Sequence, residues 1–152
     1  AVQALGAEVL YTARGEKADA VGRFCTLTEL LEQADIVSLH VPLTSETREM
    51  IDAIALWRMK RGAILINTAR GELVDQDGLC EALTAGQLAG AGLDVFYAEP
   101  VDQDEQLFNL PNVVLAPHVA WLTPETLGRS LDAAMENCRR LAAGQPLNNQ
   151  VV

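Results

Sequence analysis

Five short, mostly apolar runs recur along the chain, each stopped abruptly by proline, glycine or a polar residue: residues 7–12, 35–41, 63–66, 91–95 and 112–116. They are rich in Val, Ile and Leu and too short for helices, so they read as strands. Stretches with helical spacing or helix caps lie between them. Parallel neighbours in a sheet need a crossover of about a dozen residues or more, and a helix is the usual one. Strand–helix alternation therefore predicts an α/β fold, a doubly wound parallel sheet of Rossmann type with helices on both faces. Residues 63–66 read as a strand buried on both faces.

The helix signals are local. Thr26 followed by Glu29 is a capping box opening a short helix. A helical apolar pattern runs through Met50, Ile51, Ile54, Leu56, Trp57 and Met59 and closes at Lys60-Arg61-Gly62. Asp75 caps a helix over residues 76–85, stopped by Gly86. Thr123 caps a long helix to about residue 143, with Pro124 at its first position and Gly144 at its end. Residues 1–5 read as the last turn of a helix stopped by Gly6, an odd start for a complete domain. Residues 97–105 form a loop rich in Asp, Glu and Pro, and residues 145–152 are a tail.

The 152 residues suffice for one real core. The net charge of −10 argues against nucleic acid and anionic membrane as partners. No apolar run approaches the roughly 20 residues of a membrane helix, and the N-terminus lacks the pattern of a signal peptide. Cys25, Cys80 and Cys138 are odd in number and far apart, with no C-x-x-C or Cys/His cluster. No metal site is expected, and the three read as buried free thiols of a cytosolic protein. Trp57 and Trp121 read as packing residues.

The chemistry gathers at strand ends. Val41 and Pro42 follow one strand, Thr68, Ala69 and Arg70 the next; Asp94 ends another with Glu99 in its loop, and His118 follows the last. In open α/β sheets ligands bind outside the carboxyl ends of the strands. An arginine there can grip a carboxylate with its planar fork. A histidine can hold or release a proton near neutral pH, and a neighbouring carboxylate fixes its tautomer. Such a trio suits protonation of a carbonyl oxygen while a hydride arrives elsewhere. Each member alone has another reading: a salt-bridged arginine, a solvated acid, a ring bonded to backbone, and Asp94 as a turn acceptor. His40, beside a strand end, reads as structural.

Four blocks stand in unbroken order: residues 35–44 with Thr47, residues 66–74, residues 90–96 with Glu99-Pro100, and residues 111–114 with residues 117–119. Together they resemble the D-isomer-specific 2-hydroxyacid dehydrogenases, from about Leu5 to Gly144. The resemblance implies that Arg70 orients the substrate carboxylate and carbonyl. His118 would be general acid in reduction and base in oxidation, and Glu99 would pair with it. Val41 and Pro42 would line the adenine end of the cofactor site. Thr68, Ala69 and Asp94 would surround the nicotinamide ring and carboxamide, with Ala120 near the same ring.

None of the eleven glycines forms the G-x-G-x-x-G loop that holds a dinucleotide pyrophosphate. The expected fold thus lacks the first strand and its glycine-rich loop. Residues 1–122 would be a partial dinucleotide-binding domain. Residues 123–152 would be a C-terminal helix and tail packing toward a substrate domain. The chain reads as the C-terminal part of a longer enzyme, with the isolated chain binding cofactor weakly and not turning over. Leu10-Tyr11-Thr12-Ala13-Arg14 has no acid to bond the ribose hydroxyls. Thr12 and Arg14 could hold a 2′-phosphate instead, which favours NADP(H) over NAD(H). The implied activity interconverts a small 2-oxo acid and its D-2-hydroxy acid, of glyoxylate, hydroxypyruvate or D-glycerate type. The alternatives are a D-3-phosphoglycerate dehydrogenase or a non-enzymatic NAD(H)-sensing module like the related corepressors. Glu99 argues against formate dehydrogenase, which carries an amide there. A cytoplasmic homodimer is implied, with the long helix and the Trp57 region as candidate contacts.

Overall fold

The computed structural model describes residues 2–102 and 105–150. Ala1, Gln103, Asp104, Val151 and Val152, expected from the sequence in a helical turn, an acidic loop and a tail, lie outside the described residues. The chain divides into two compact units, Ala1–His118 and Val119–Val152.

The first unit carries β1 (Leu10–Tyr11), β2 (Arg23–Phe24), α1 (Leu27–Gln33), β3 (Ile36–Leu39), α2 (Ala53–Arg58), β4 (Ala63–Asn67), α3 (Gln76–Thr84), β5 (Leu88–Leu93) and β6 (Val113–Leu115). Every ladder is parallel. β3-β4-β5-β6 form one sheet in chain order, and β1-β2 form a separate pair. The registers align Leu39, Asn67, Leu93 and Leu115 as one row across the four strands. The chain therefore leaves all four strands at one edge of the sheet.

The capping chemistry forms as expected. Thr26 Oγ1 accepts from the Glu29 amide at 3.2 Å, and a Glu29 carboxylate oxygen accepts from the Thr26 amide at 2.8 Å. Asp75 accepts from the Gly78 amide at 3.2 Å to open α3. Gly86, just past α3, has φ +67°, a left-handed stop that costs glycine nothing.

Several local expectations are corrected. The helix expected from Met50 starts at Ala53, because the Asp52 side chain takes the Ala55 amide at 2.8 Å and caps it there. Ile51 instead makes a parallel bridge to Val74, and that pairing wins over helical periodicity. Residues 2–5 are a 3-10 turn rather than α-helix. β2 has no sequence signal, since its two residues are exposed and leave no apolar pattern. The expected strand at 7–12 shortens to β1, whereas β5 begins earlier than expected, at Leu88.

The core contains Leu31 of α1, Leu56 of α2 and Leu79 of α3 with Val37, Leu39, Leu65 and Leu93 of the sheet. These helices cover one face of it. The alternate residues Ile36, Ile64 and Val114 are 62%, 36% and 75% exposed. β4 is thus buried on one face within the first unit, not on both, because successive side chains point to opposite faces. Cys25 and Cys80 are buried as expected, and burial with the nearby Glu105 and Asp77 charges pushes the Cys80 thiol up to about 11. Cys138 is exposed, against expectation. Trp57 and Trp121 are half exposed and do not serve as core packing.

In the second unit α4 spans Pro124–Ala142, with the Thr126 amide donating to Thr123 Oγ1 at 3.1 Å. Asn137 ties the tail back: its Oδ1 accepts from the Asn148 amide at 2.8 Å, and its Nδ2 donates to the Asn148 carbonyl at 3.2 Å.

Candidate active site

The loops that leave the aligned row carry the candidate residues. After β4, Asn67 sets the path of the chain. Its side chain is buried, so both its polar ends need partners. Oδ1 accepts from the Ala69 amide at 3.0 Å, and Nδ2 donates to the Arg70 carbonyl at 2.8 Å. This clamp folds Thr68-Ala69-Arg70 into a turn over the strand end. Thr68 and Arg70 are exposed there and Ala69 is half-buried. The Arg70 guanidinium donates to the Ala69 carbonyl at 2.6 Å.

Asp94 follows β5 directly and is buried, its amide donating to the Asn67 carbonyl at 2.9 Å. Beyond it the chain turns back so that the Phe96 amide donates to Glu99 Oε1 at 3.1 Å. The other oxygen, Oε2, lies 2.8 Å from His118 Nδ1. His118 stands three residues past β6 in a left-handed conformation, φ +57°. Such a backbone is uncommon for a residue with a Cβ and clusters at functional sites.

A carboxylate only accepts, so Nδ1 carries the shared proton and Nε2 is the ring's other polar atom. The His118 hydrogen bond and then the Phe96 amide hold the Glu99 carboxyl below the usual carboxylate range; burial opposes them more weakly, and the His118 and Arg70 charges add the smallest lowering effects. A cavity lined by Phe96, Val101, Phe108, Leu115 and Pro117 adjoins the pair, whose side chains both keep access to solvent.

After β3, Val41 is half-buried and Pro42 exposed. Thr47 holds this loop, its hydroxyl donating to the Pro42 carbonyl at 2.7 Å and accepting from the Thr44 amide at 2.8 Å. Thr12 and Arg14 follow β1 on the two-stranded sheet, Thr12 half-buried and Arg14 exposed. Ala120 belongs to the second unit. His40 is exposed, its Nε2 2.9 Å from Ser38 Oγ.

Glu99 and His118 are thus brought together, and Arg70 lies near enough for its charge to act on Glu99. Asn67 and Thr47 are working parts of these loops that residue-type reasoning passed over. The available signal was an amide ending an otherwise apolar strand, since buried polar residues are the informative exceptions. Among the described residues no group of three or more His, Cys, Asp or Glu could hold a metal ion. Thr68 after β4 and Asp94 after β5 bring a hydroxyl and a carboxylate to the strand ends, group types that can bond a carboxamide. The sequence offers no glycine-rich cradle for a pyrophosphate.

Residues 1–120 match the family model described as D-isomer specific 2-hydroxyacid dehydrogenase, NAD binding domain. The glyoxylate reductase of Korarchaeum cryptofilum is 52% identical over 122 residues, covering 80% of this chain and 37% of that protein. Glyoxylate/hydroxypyruvate reductase B of Pectobacterium carotovorum is 44% identical over 147 residues, covering 94% of this chain and 46% of that protein. The crystal structure of the TT0316 protein from Thermus thermophilus matches with TM-score 0.93 at 46% identity, covering 99% of this chain and 48% of that one. The chain spans less than half the length of each.

Proposed function

The chain belongs to the D-isomer-specific 2-hydroxyacid dehydrogenase family, and on that footing we propose that Arg70, Glu99 and His118 act together to interconvert a small 2-oxo acid and its D-2-hydroxy acid. The observation that carries this reading is the 2.8 Å pairing of Glu99 with His118 at the sheet edge that also bears Arg70. The Arg70 fork grips the substrate carboxylate and sets the carbonyl toward His118. In reduction His118 donates the Nε2 proton to the carbonyl oxygen, and in oxidation it takes the hydroxyl proton back. Glu99 keeps Nδ1 protonated, so that Nε2 is the atom that exchanges the proton. When bound, the nicotinamide cofactor supplies or accepts the hydride that balances this proton.

In this reading Thr68, Ala69 and Asp94 hold the nicotinamide end of the cofactor, and Val41 and Pro42 its adenine end. Thr12 and Arg14 bind a 2′-phosphate, so NADP(H) is preferred to NAD(H). The relatives' names support glyoxylate or hydroxypyruvate as substrate. A homodimer in the cytoplasm, implied by the resemblance, is part of the same proposal. The test is oxidation of reduced nicotinamide with glyoxylate and with hydroxypyruvate, in the protein that contains this chain. His118→Asn is expected to lower kcat/KM by about 10²–10⁴-fold. Wild-type turnover in that variant would overturn the assignment.

A further inference from the structure

Gly71 follows Arg70 and is not in the left-handed region, so its lack of a side chain answers a need for space rather than for an unusual backbone. A Cβ there would stand 2.0 Å from both the carbonyl carbon and the carbonyl oxygen of Phe96, and 2.5 Å from the Tyr97 nitrogen. These are backbone atoms and have no rotamer to retreat into. The Arg70 turn and the Phe96 peptide therefore touch directly, main chain to main chain.

Neither partner is idle. Phe96 offers the amide that holds Glu99 Oε1, and Glu99 Oε2 holds His118. Gly71 opens the 3-10 turn Gly71–Leu73, which is pinned from behind. The Glu49 amide donates to the Glu72 carbonyl at 2.8 Å and the Ile51 amide to the Leu73 carbonyl at 3.1 Å. Leu73 is fully buried, and Asn67 clamps Arg70 on the other flank. The turn has nowhere to withdraw, so a methyl group at position 71 would push the Phe96–Glu99 loop away.

We propose that Gly71 is a positioning residue: its bare contact with the Phe96 peptide sets the spacing between Arg70 and the Glu99–His118 pair. This rests on the reading that those three residues act together. A dehydrogenase that ignored the pair would leave the contact intact but without purpose.

The test reads the Glu99 side-chain carboxyl by ¹³C NMR across pH in the 152-residue chain, without substrate or cofactor. Its result is therefore separate from whether the protein reduces a 2-oxo acid. The His118 hydrogen bond lowers the Glu99 value most, the Phe96 amide next and the Arg70 charge least, so a Phe96–Glu99 loop pushed out of place moves the midpoint up. In Gly71→Ala the Glu99 midpoint is expected to rise toward that of an ordinary carboxylate, and the Phe96 amide proton to lose its inflection at that pH. Gly128→Ala, which meets nothing within 4 Å, should change neither. A folded Gly71→Ala chain with the wild-type midpoint and inflection overturns the proposal. If that variant does not fold, the wild-type chain decides. A Phe96 amide inflection at the Glu99 midpoint with a close Gly71 Hα–Tyr97 amide contact supports it, and absence of either overturns it.

Discussion

Replacing Asn67 by alanine removes one side chain and two hydrogen bonds, and their cost can be worked out. The Ala69 amide loses its acceptor and the Arg70 carbonyl its donor. A buried polar group left unpaired costs about 1–3 kcal/mol. Ala69 is half-buried, so its amide should carry most of such a penalty, while Arg70 is exposed and its carbonyl can recover water. The space left by a side chain that was 1% exposed adds a packing term. The total is about 2–4 kcal/mol. With a urea slope of about 2 kcal/mol/M, the middle of the range for a small protein, the unfolding midpoint should fall by roughly 1–2 M at unchanged slope. Circular dichroism against urea measures it. Thr68→Ala, one residue on and exposed, should stay within about 0.5 kcal/mol of wild type. If Asn67→Ala costs no more than Thr68→Ala, the clamp does not hold the turn and the account of Arg70's placement fails.

Arg70→Lys keeps the charge but loses the planar fork, so the KM for the 2-oxo acid should rise about tenfold or more; an unchanged KM would remove Arg70 from carboxylate binding. Arg14→Ala should weaken NADPH much more than NADH in steady-state kinetics, and equal loss with both would end the 2′-phosphate role. The Glu99 carboxyl is held below its unfolded value, so its contribution to stability is whole above the ordinary carboxylate range and fades as pH falls through the lowered value. The stability gap between wild type and Glu99→Gln should accordingly close on acidification in paired denaturation curves. A gap that widens would mean the sign of the shift is wrong.

The sequence alone determined whatever depends on residues within a turn of one another. Thr26 with Glu29, Asp75 before α3, and Thr123 with Pro124 state their caps locally, because donor and acceptor are three residues apart. Alternating apolar runs and helices also required a parallel sheet, and hence one edge that gathers the strand ends. Tertiary structure alone decided what depends on loops without a period. Asp52 and the Ile51–Val74 bridge moved the start of α2, against a helical pattern that ran through both. Which face of the sheet α1 to α3 cover could not be read from runs that are apolar on both sides, as Ile64 and Leu65 are. Glu99 meets His118 across nineteen residues, and Gly71 meets Phe96 between the loops of two strands. Contacts of that span follow from strand register and from clamps such as Asn67, which belong to the folded sheet and not to any local stretch of chain.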